Sequence, residues 1–262
     1  MLLEDKVVIV TGVGPGLGRA LVLEAAAEGA AVVAMARTAS FLDEVVAEVE
    51  AAGGRALAAP GDITSAVDCA RVAGTAEESY GRLDGLVNSA FTAGTIAPFE
   101  SVDLDDWRHT FEVNVFGTLT MTRACLPLLR AGDGGAVVNV NTMSAFRPMK
   151  FQGGYGGSKA ALEFLTRQLA AELGPSGVRL NTVYCGPMIG PNLTMAMEAW
   201  AERRGESFEQ VQATVATNMA LERIPEDEEA AQAIVMMLSD KASVVTGTAF
   251  HATAGVWIDH RI

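Results

Sequence analysis

Tyr155 and Lys159 stand four positions apart in the run GGYGGSKAALEFL, and Thr142 lies thirteen positions before the tyrosine. On a helix, residues four apart share a face, one turn from each other. A phenol titrates near 10 in water, so it needs help to exchange a proton near neutral pH. An ammonium one turn away stabilises the phenolate, and a hydroxyl opposite it can hold a carbonyl oxygen in place. The three side chains therefore carry the parts for proton transfer at an alcohol or carbonyl oxygen. The same spacing also occurs as a plain surface pair, so the surrounding elements decide between the two readings.

Those elements are a strand over 137–142 with alternating side chains, a loop, and a helix over 153–173 that begins near Gln152 and is apolar on more than one side through Leu162, Phe164, Leu165, Leu169 and Leu173. One side is expected to cover a sheet and another to meet a second subunit. Far upstream, KVVIVT at 6–11 is a β-branched run followed at once by GVGPGLG and a helical pattern through Glu28. Glycines at 12, 14, 16 and 18 let the backbone approach a ligand, and the helix start offers free N–H groups to a pyrophosphate. The bland alternative is a tight strand-to-helix connection.

The alternation continues. Ala31 to Ala36 forms a second strand ending at Arg37, where an acid would hold a ribose 2′-hydroxyl and an Arg accommodates a 2′-phosphate; Arg37 is otherwise a solvated loop residue. A helix over 40–52, a strand over 55–60 and a helix through about Tyr80 follow. Asp62 past the third strand is placed to accept a hydrogen bond from adenine, or is an exposed turn residue. Leu83 to Val87 is a fourth strand leading into Asn88, Ser89, Ala90 and Phe91. A helical stretch of roughly 103–130 carries Asn114 in a structural or water-relaying role and is expected to break or bend near Pro127. A strand over 178–184, a turn at Gly186 and Pro187, a helix over 226–239 and a strand over 247–252 complete the chain. With no repeat or linker, this specifies one α/β domain over 1–262, a Rossmann-type doubly wound parallel sheet of about seven strands with helices on both faces.

Composition narrows the function. The 262 residues, half of them apolar, suffice for a large core, and the net charge of −13 disfavours nucleic acid or an anionic membrane as partner. Cys69, Cys125 and Cys185 are odd in number and far apart, which fits a reduced, cytoplasmic setting. Charges at Glu4, Asp5 and Lys6 argue against a signal peptide or membrane span at the N-terminus. His109, His251 and His260 are scattered, so no metal is expected.

In order and approximate spacing, Thr11-Gly12-x-x-x-Gly16-x-Gly18, Asp62, Asn88-x-Ala90, Asn114, Tyr155-x-x-x-Lys159 and Asn181 resemble the short-chain dehydrogenases/reductases over essentially the whole chain. The resemblance implies a nicotinamide cofactor, a homotetramer or homodimer, and a small-molecule alcohol or carbonyl substrate. It implies catalytic roles for Asn114, holding a proton-relay water, for Thr142 at the family's serine position, for Tyr155 in proton exchange, and for Lys159 in lowering the tyrosine pKa and binding the nicotinamide ribose. Cofactor contacts are expected from Gly12, Gly14, Pro15, Gly16, Leu17, Gly18, Arg37, Asp62, Ile63, Asn88, Ala90, Tyr155, Lys159, Gly186 and Ile189, with NADP(H) preferred and NAD(H) also admissible. Four positions depart from the family pattern. Thr142 replaces serine, Phe91 stands where glycine is usual, Cys185-Gly186-Pro187 replaces Pro-Gly, and Gly190 lies close to the usual threonine.

Residues 188–219 fall where the family carries a substrate lid. Met188, Met195 and Trp200, with Phe91, Phe146, Met149 and Ser144, are candidate substrate contacts that would wall an apolar, adaptable pocket, or else pack the lid onto the body. The expected activity is NAD(P)(H)-dependent interconversion of an alcohol and a ketone or aldehyde, on a moderately large apolar substrate. The alternative is a dinucleotide-sensing binding protein on the same fold without turnover.

Overall fold

The structure, a computed structural model, describes residues 1–132 and 134–256, so His260 and the end of the expected 1–262 domain lie outside the described residues. Seven strands form one parallel sheet: β1 Val7–Thr11, β2 Ala31–Met35, β3 Arg55–Ala58, β4 Gly85–Asn88, β5 Gly135–Thr142, β6 Val178–Cys185 and β7 Ala249–Ala252. Their order is β3-β2-β1-β4-β5-β6-β7. The chain reverses direction across the sheet between β1 and β4, and such a reversal opens a crevice at the C-terminal ends of the strands.

The helices are α1 Leu17–Ala27, α2 Ala39–Ala51, α3 Ala66–Tyr80, α4 Leu104–Phe111, α5 Thr118–Ala131, α6 Gly153–Leu173, α7 Pro191–Arg204, α8 Phe208–Ala216 and α9 Asp227–Leu238. Alternate residues of each strand go to opposite faces, and both faces are covered. Val8 and Val10 of β1 join the core under α1, α2 and α9, while Val7 and Ile9 join the core under α3, α5 and α6. This explains why the central strands read as unbroken apolar runs. The lid helices α7 and α8 have a third core of their own, built from Met197, Ala201, Val211, Met219 and Ile224.

The stretch expected as one helix over 103–130 is divided in a different place. α5 runs through Pro127 without interruption, and the break is a widened π-helical turn over Glu112–Gly117. Pro127 is tolerated because its neighbours Cys125 and Leu129 are fully buried and hold the helix against the sheet. The extra residue of a π turn shifts the helix register, a device found at functional sites. Here it leaves Asn114 buried and Phe116 exposed.

β5 is buried on both sides: its alternating Asn139 and Asn141 face α6 and are buried there. Asn139 Oδ1 accepts from Asn88 Nδ2 at 2.9 Å, and its Nδ2 donates to Thr166 Oγ1 at 2.9 Å. Asn141 Nδ2 donates to the Lys159 carbonyl at 3.0 Å. Two turns of α6 are thus fixed to one strand at known register. At the other end, Gly153 and Gly154 let α6 approach α4 closely, because a Cβ on Gly153 would lie 2.5 Å from the Trp107 ring. Replacing Asn139 with Leu leaves buried partners at Asn88 and Thr166 unsatisfied, and is expected to cost about 1–3 kcal/mol. Urea unfolding measures it: the midpoint falls at unchanged slope.

Candidate active site

A long cleft follows the C-terminal ends of β1, β4, β5 and β6 in two halves that share Gly12, Gly14, Ser89 and Phe91. One half is lined by Arg37, Thr38, Asp62, Ile63, Ala90 and His109. The other, a cavity of about 570 Å³, holds Pro15, Gly16, Leu17, Gly18, Thr142, Ser144, Met149, Tyr155, Lys159, Gly186 and Met188. Phe91, 51% exposed, stands where the halves meet.

The glycine turn explains the shape of this junction. Gly12 has φ +73°, and a Cβ there would lie 2.4 Å from the Ala90 backbone, so β1 and β4 can approach only with glycine. Gly14 has no atom within 4 Å of the place a Cβ would occupy, so its side of the turn is open to the cleft. α1 begins at Gly16 with no side-chain cap and no acidic residue in its first turn. Open space over a glycine turn at an uncapped helix start fits a dinucleotide pyrophosphate, which those N–H groups and the helix dipole would hold.

In the second half, Tyr155 and Lys159 lie on the first turns of α6 and Thr142 at the end of β5, with the Thr142 side chain close enough to the phenol to lower its pKa. Burial pushes the Tyr155 phenol up to about 12, and Thr142 works against that shift. Lys159 is 4% exposed, and burial lowers its pKa to about 8. Its ammonium donates to the Val140 carbonyl at 2.9 Å and lies 5.8 Å from the centre of the Phe91 ring. In this arrangement desolvation is the largest influence on the phenol, and the lysine ammonium is turned toward β5. Cys185, at the end of β6, has its thiol raised to about 12 by burial and so is neutral beside this pair.

Thr142 and Ser144 differ in their partners. Thr142 Oγ1 accepts from Ser144 N at 3.4 Å, which aims the threonine. Ser144 Oγ instead donates to Gln152 Oε1 and contacts Met149 Sδ, both at 3.3 Å, away from the tyrosine hydroxyl.

Six expected site residues do not line the cleft. Asn114 donates to the Thr92 carbonyl and to Ser158 Oγ, both at 2.9 Å, and accepts from Thr92 N at 2.8 Å, so both amide protons are used. It braces the loop after β4 against α6, and its side chain has no donor left for a relay water. Asn88 donates to Thr122 and Asn139 inside the core. Ile189 packs into the lid core, where its N–H donates to the Pro225 carbonyl at 2.8 Å. Phe146 packs edge-on against Tyr184 and His251. Trp200 packs against the lid core, and Met195 is 64% exposed. The last three were indistinguishable from pocket residues by type, since an apolar side chain carries no sign of the direction it faces.

Conversely, Met143, Leu193, Ala196, Gln152 and Asp227 line the cleft without a signal in the sequence that marked them. Asn139, Ser158 and Trp107 support it from behind. Among the described residues no group of His, Cys, Asp and Glu could hold a metal, and no helix is long and apolar enough to cross a membrane. Another opening lies at the N-terminal ends of the strands. Arg179 there donates to four backbone carbonyls between Met237 and Val245, which gives it a structural task.

Comparison with known proteins agrees with this layout. The family profile described as "Enoyl-(Acyl carrier protein) reductase" matches residues 12–257. An uncharacterised oxidoreductase of Methylorubrum extorquens is 33% identical over 97% of this chain and 98% of its own. An L-rhamnose 1-dehydrogenase (NAD(P)(+)) of a Sphingomonas strain is 31% identical over 98% of each. The L-sorbose reductase of Gluconobacter frateurii, solved with NADPH and L-sorbose, superposes with a TM-score of 0.91 at 26% identity over 98% of both chains. With the parallel seven-stranded sheet and the whole-length match, the chain belongs to the short-chain dehydrogenase/reductase family of oxidoreductases.

Proposed function

We infer that this protein interconverts an alcohol and a ketone or aldehyde with a nicotinamide dinucleotide, NADP(H) in preference to NAD(H). The observation that carries this reading is the pair of hydroxyls, Tyr155 and Thr142, lining the same cavity as the glycine turn, with Thr142 near enough to act on the phenol's pKa. A binding protein without turnover would need the turn but not these hydroxyls beside a buried lysine.

When bound, the dinucleotide supplies or accepts the hydride at its nicotinamide ring. Thr142 donates a hydrogen bond to the reacting oxygen and fixes its distance from Tyr155. The phenol, protonated across the neutral range, gives its proton to that oxygen during reduction; during oxidation the phenolate takes the proton back. Lys159, buried one turn away on the same helix, supplies a positive charge beside that phenolate while its ammonium holds the Val140 carbonyl. Met143, Met149, Met188, Leu193 and Phe91 make the walls apolar and adaptable, which favours a moderately large apolar substrate. Arg37, exposed at the far end of the cleft where β2 ends without an acid, favours a 2′-phosphate, although Asp62 lines the same half.

Substitution and pH dependence test this. Tyr155→Phe should abolish turnover. Thr142→Val should lose roughly 10²–10³ in kcat, the scale of one lost oxyanion donor. Ser144→Ala should change little, and kcat measured with saturating dinucleotide exchanges the roles of Thr142 and Ser144 if the losses are reversed. Arg37→Ala should weaken NADPH by on the order of 10–100-fold, the equivalent of about 1.5–3 kcal/mol for a hydrogen bond to a charged group, and leave NADH nearly unaffected; fluorescence titration of both dinucleotides decides it. The lysine is charged below about 8 and loses its proton as pH rises through that value. Reductive kcat/KM should therefore decline above about pH 8, and a profile that stays flat to much higher pH removes the ammonium from the mechanism.

A further inference from the structure

Asp227 opens α9 and is 8% exposed, yet among the described residues no donor forms a hydrogen bond to its carboxylate. The side chain is aimed into the cleft. Its Oδ2 lies 2.4 Å from where Gly190 would carry a Cβ and 2.9 Å from the corresponding point on Gly16, the residue at which α1 begins. A carboxylate therefore abuts the uncapped helix start that fits a pyrophosphate. Resting on the dinucleotide reading above, we propose that Asp227 couples dinucleotide binding to uptake of one proton: the pyrophosphate is held only when this side chain is a neutral carboxylic acid.

The physical case is one of charge and confinement. Two anions a few ångströms apart in a half-enclosed cleft repel strongly, and no cation is arranged to separate them. Glu226 and Glu228, on either side in sequence, add negative charge, while desolvation is the larger effect that raises the carboxyl to about 6. α1 runs along α9, but its Arg19 is paired with Glu48 and its Glu24 is itself raised by burial. From β6, Cys185 faces Asp227 as a neutral thiol, and Arg179 is spent on carbonyls at the far end of α9. β5 and the 186–190 segment contribute no titratable side chain. Arg223, on the segment before α9, is paired with Glu229, and Lys159 across the cavity donates to the Val140 carbonyl, so neither cation is free to offset two anions competing for one helix start, and protonation is the available remedy. Because the carboxyl starts only a little below neutrality, the proton is taken up readily at physiological pH.

Calorimetric titration of the full-length protein with NAD⁺ and with NADP⁺ between pH 5.5 and 8 tests this without reference to turnover. For the wild type, Kd should rise by up to about tenfold for each pH unit above roughly 6.5, as linkage requires for one proton. Repeating the titration at pH 7.5 in two buffers of different ionisation enthalpy should report close to one proton taken up per NAD⁺ bound. Asp227→Asn should bind NAD⁺ on the order of tenfold more tightly at pH 7.5 and take up none. The 2′-phosphate of NADP⁺ titrates in the same range but does so equally in both proteins, so the difference between them isolates Asp227. Wild-type binding that takes up no proton overturns the proposal while leaving dinucleotide binding intact, a result that stands even if the variant fails to fold. Absence of binding by either dinucleotide at every pH overturns both this proposal and the reading beneath it.

Discussion

The site depends on the attachment of α6 to β5. Tyr155 and Lys159 sit on the helix and Thr142 on the strand, so their mutual geometry is the geometry of that contact. Ordinary apolar packing would let a helix slide by a fraction of a turn over a sheet at modest cost. Three directional bonds prevent this: Asn139 to Thr166, Asn141 to the Lys159 carbonyl, and the Lys159 ammonium to the Val140 carbonyl. Each is buried, so breaking it exposes no water to replace the lost partner, and each is therefore expensive to disturb. Asn114 and Ser158 add a fourth tie between α6 and the loop after β4.

The same burial that makes the attachment rigid sets the protonation states. Desolvation raises the phenol and lowers the ammonium, pushing the two pKa values away from each other's service. The Thr142 side chain offsets part of the shift on the tyrosine. The extra methyl of threonine relative to serine restricts that side chain to fewer rotamers, which helps it keep its place. Geometry and titration in this cleft are thus two results of one choice, the placement of polar groups in a dry interior.

Much of this was legible in the chain. The glycine run after the first β-branched segment, the Tyr-Lys spacing and the regular strand–helix alternation are local patterns, and the sheet, the turn and α6 stand where they indicate. What was illegible depends on contacts between distant segments. Asn139 and Asn141 are polar residues on a buried strand whose partners, Asn88, Thr166 and the Lys159 carbonyl, lie on other elements and are not written in their neighbourhood. Pro127 is the strongest helix breaker in its stretch, yet the helix changes register at Glu112–Gly117, where Gly117 packs against Ile63. Asp227 reads as an ordinary acid at a helix start, and its second neighbour, Gly16, is over two hundred positions earlier. Met195, Phe146 and Trp200 were candidate pocket residues by type alone.

The lid keeps its hydrophobic residues largely to itself. Met197, Ala201, Val211 and Met219 bury one another, while Val140 belongs to the core beneath the sheet. The two walls of the cleft therefore answer to separate mechanical constraints. A change of bulk at Leu193 or Ala196 is taken up by helices that carry no strand, whereas a change at Val140 is transmitted to the register of β5 and hence to the hydroxyls at its end. One wall of the cleft can be recontoured through successive substitutions while the other is held fixed, which is the arrangement a lineage needs if its members are to exchange substrates and keep their chemistry.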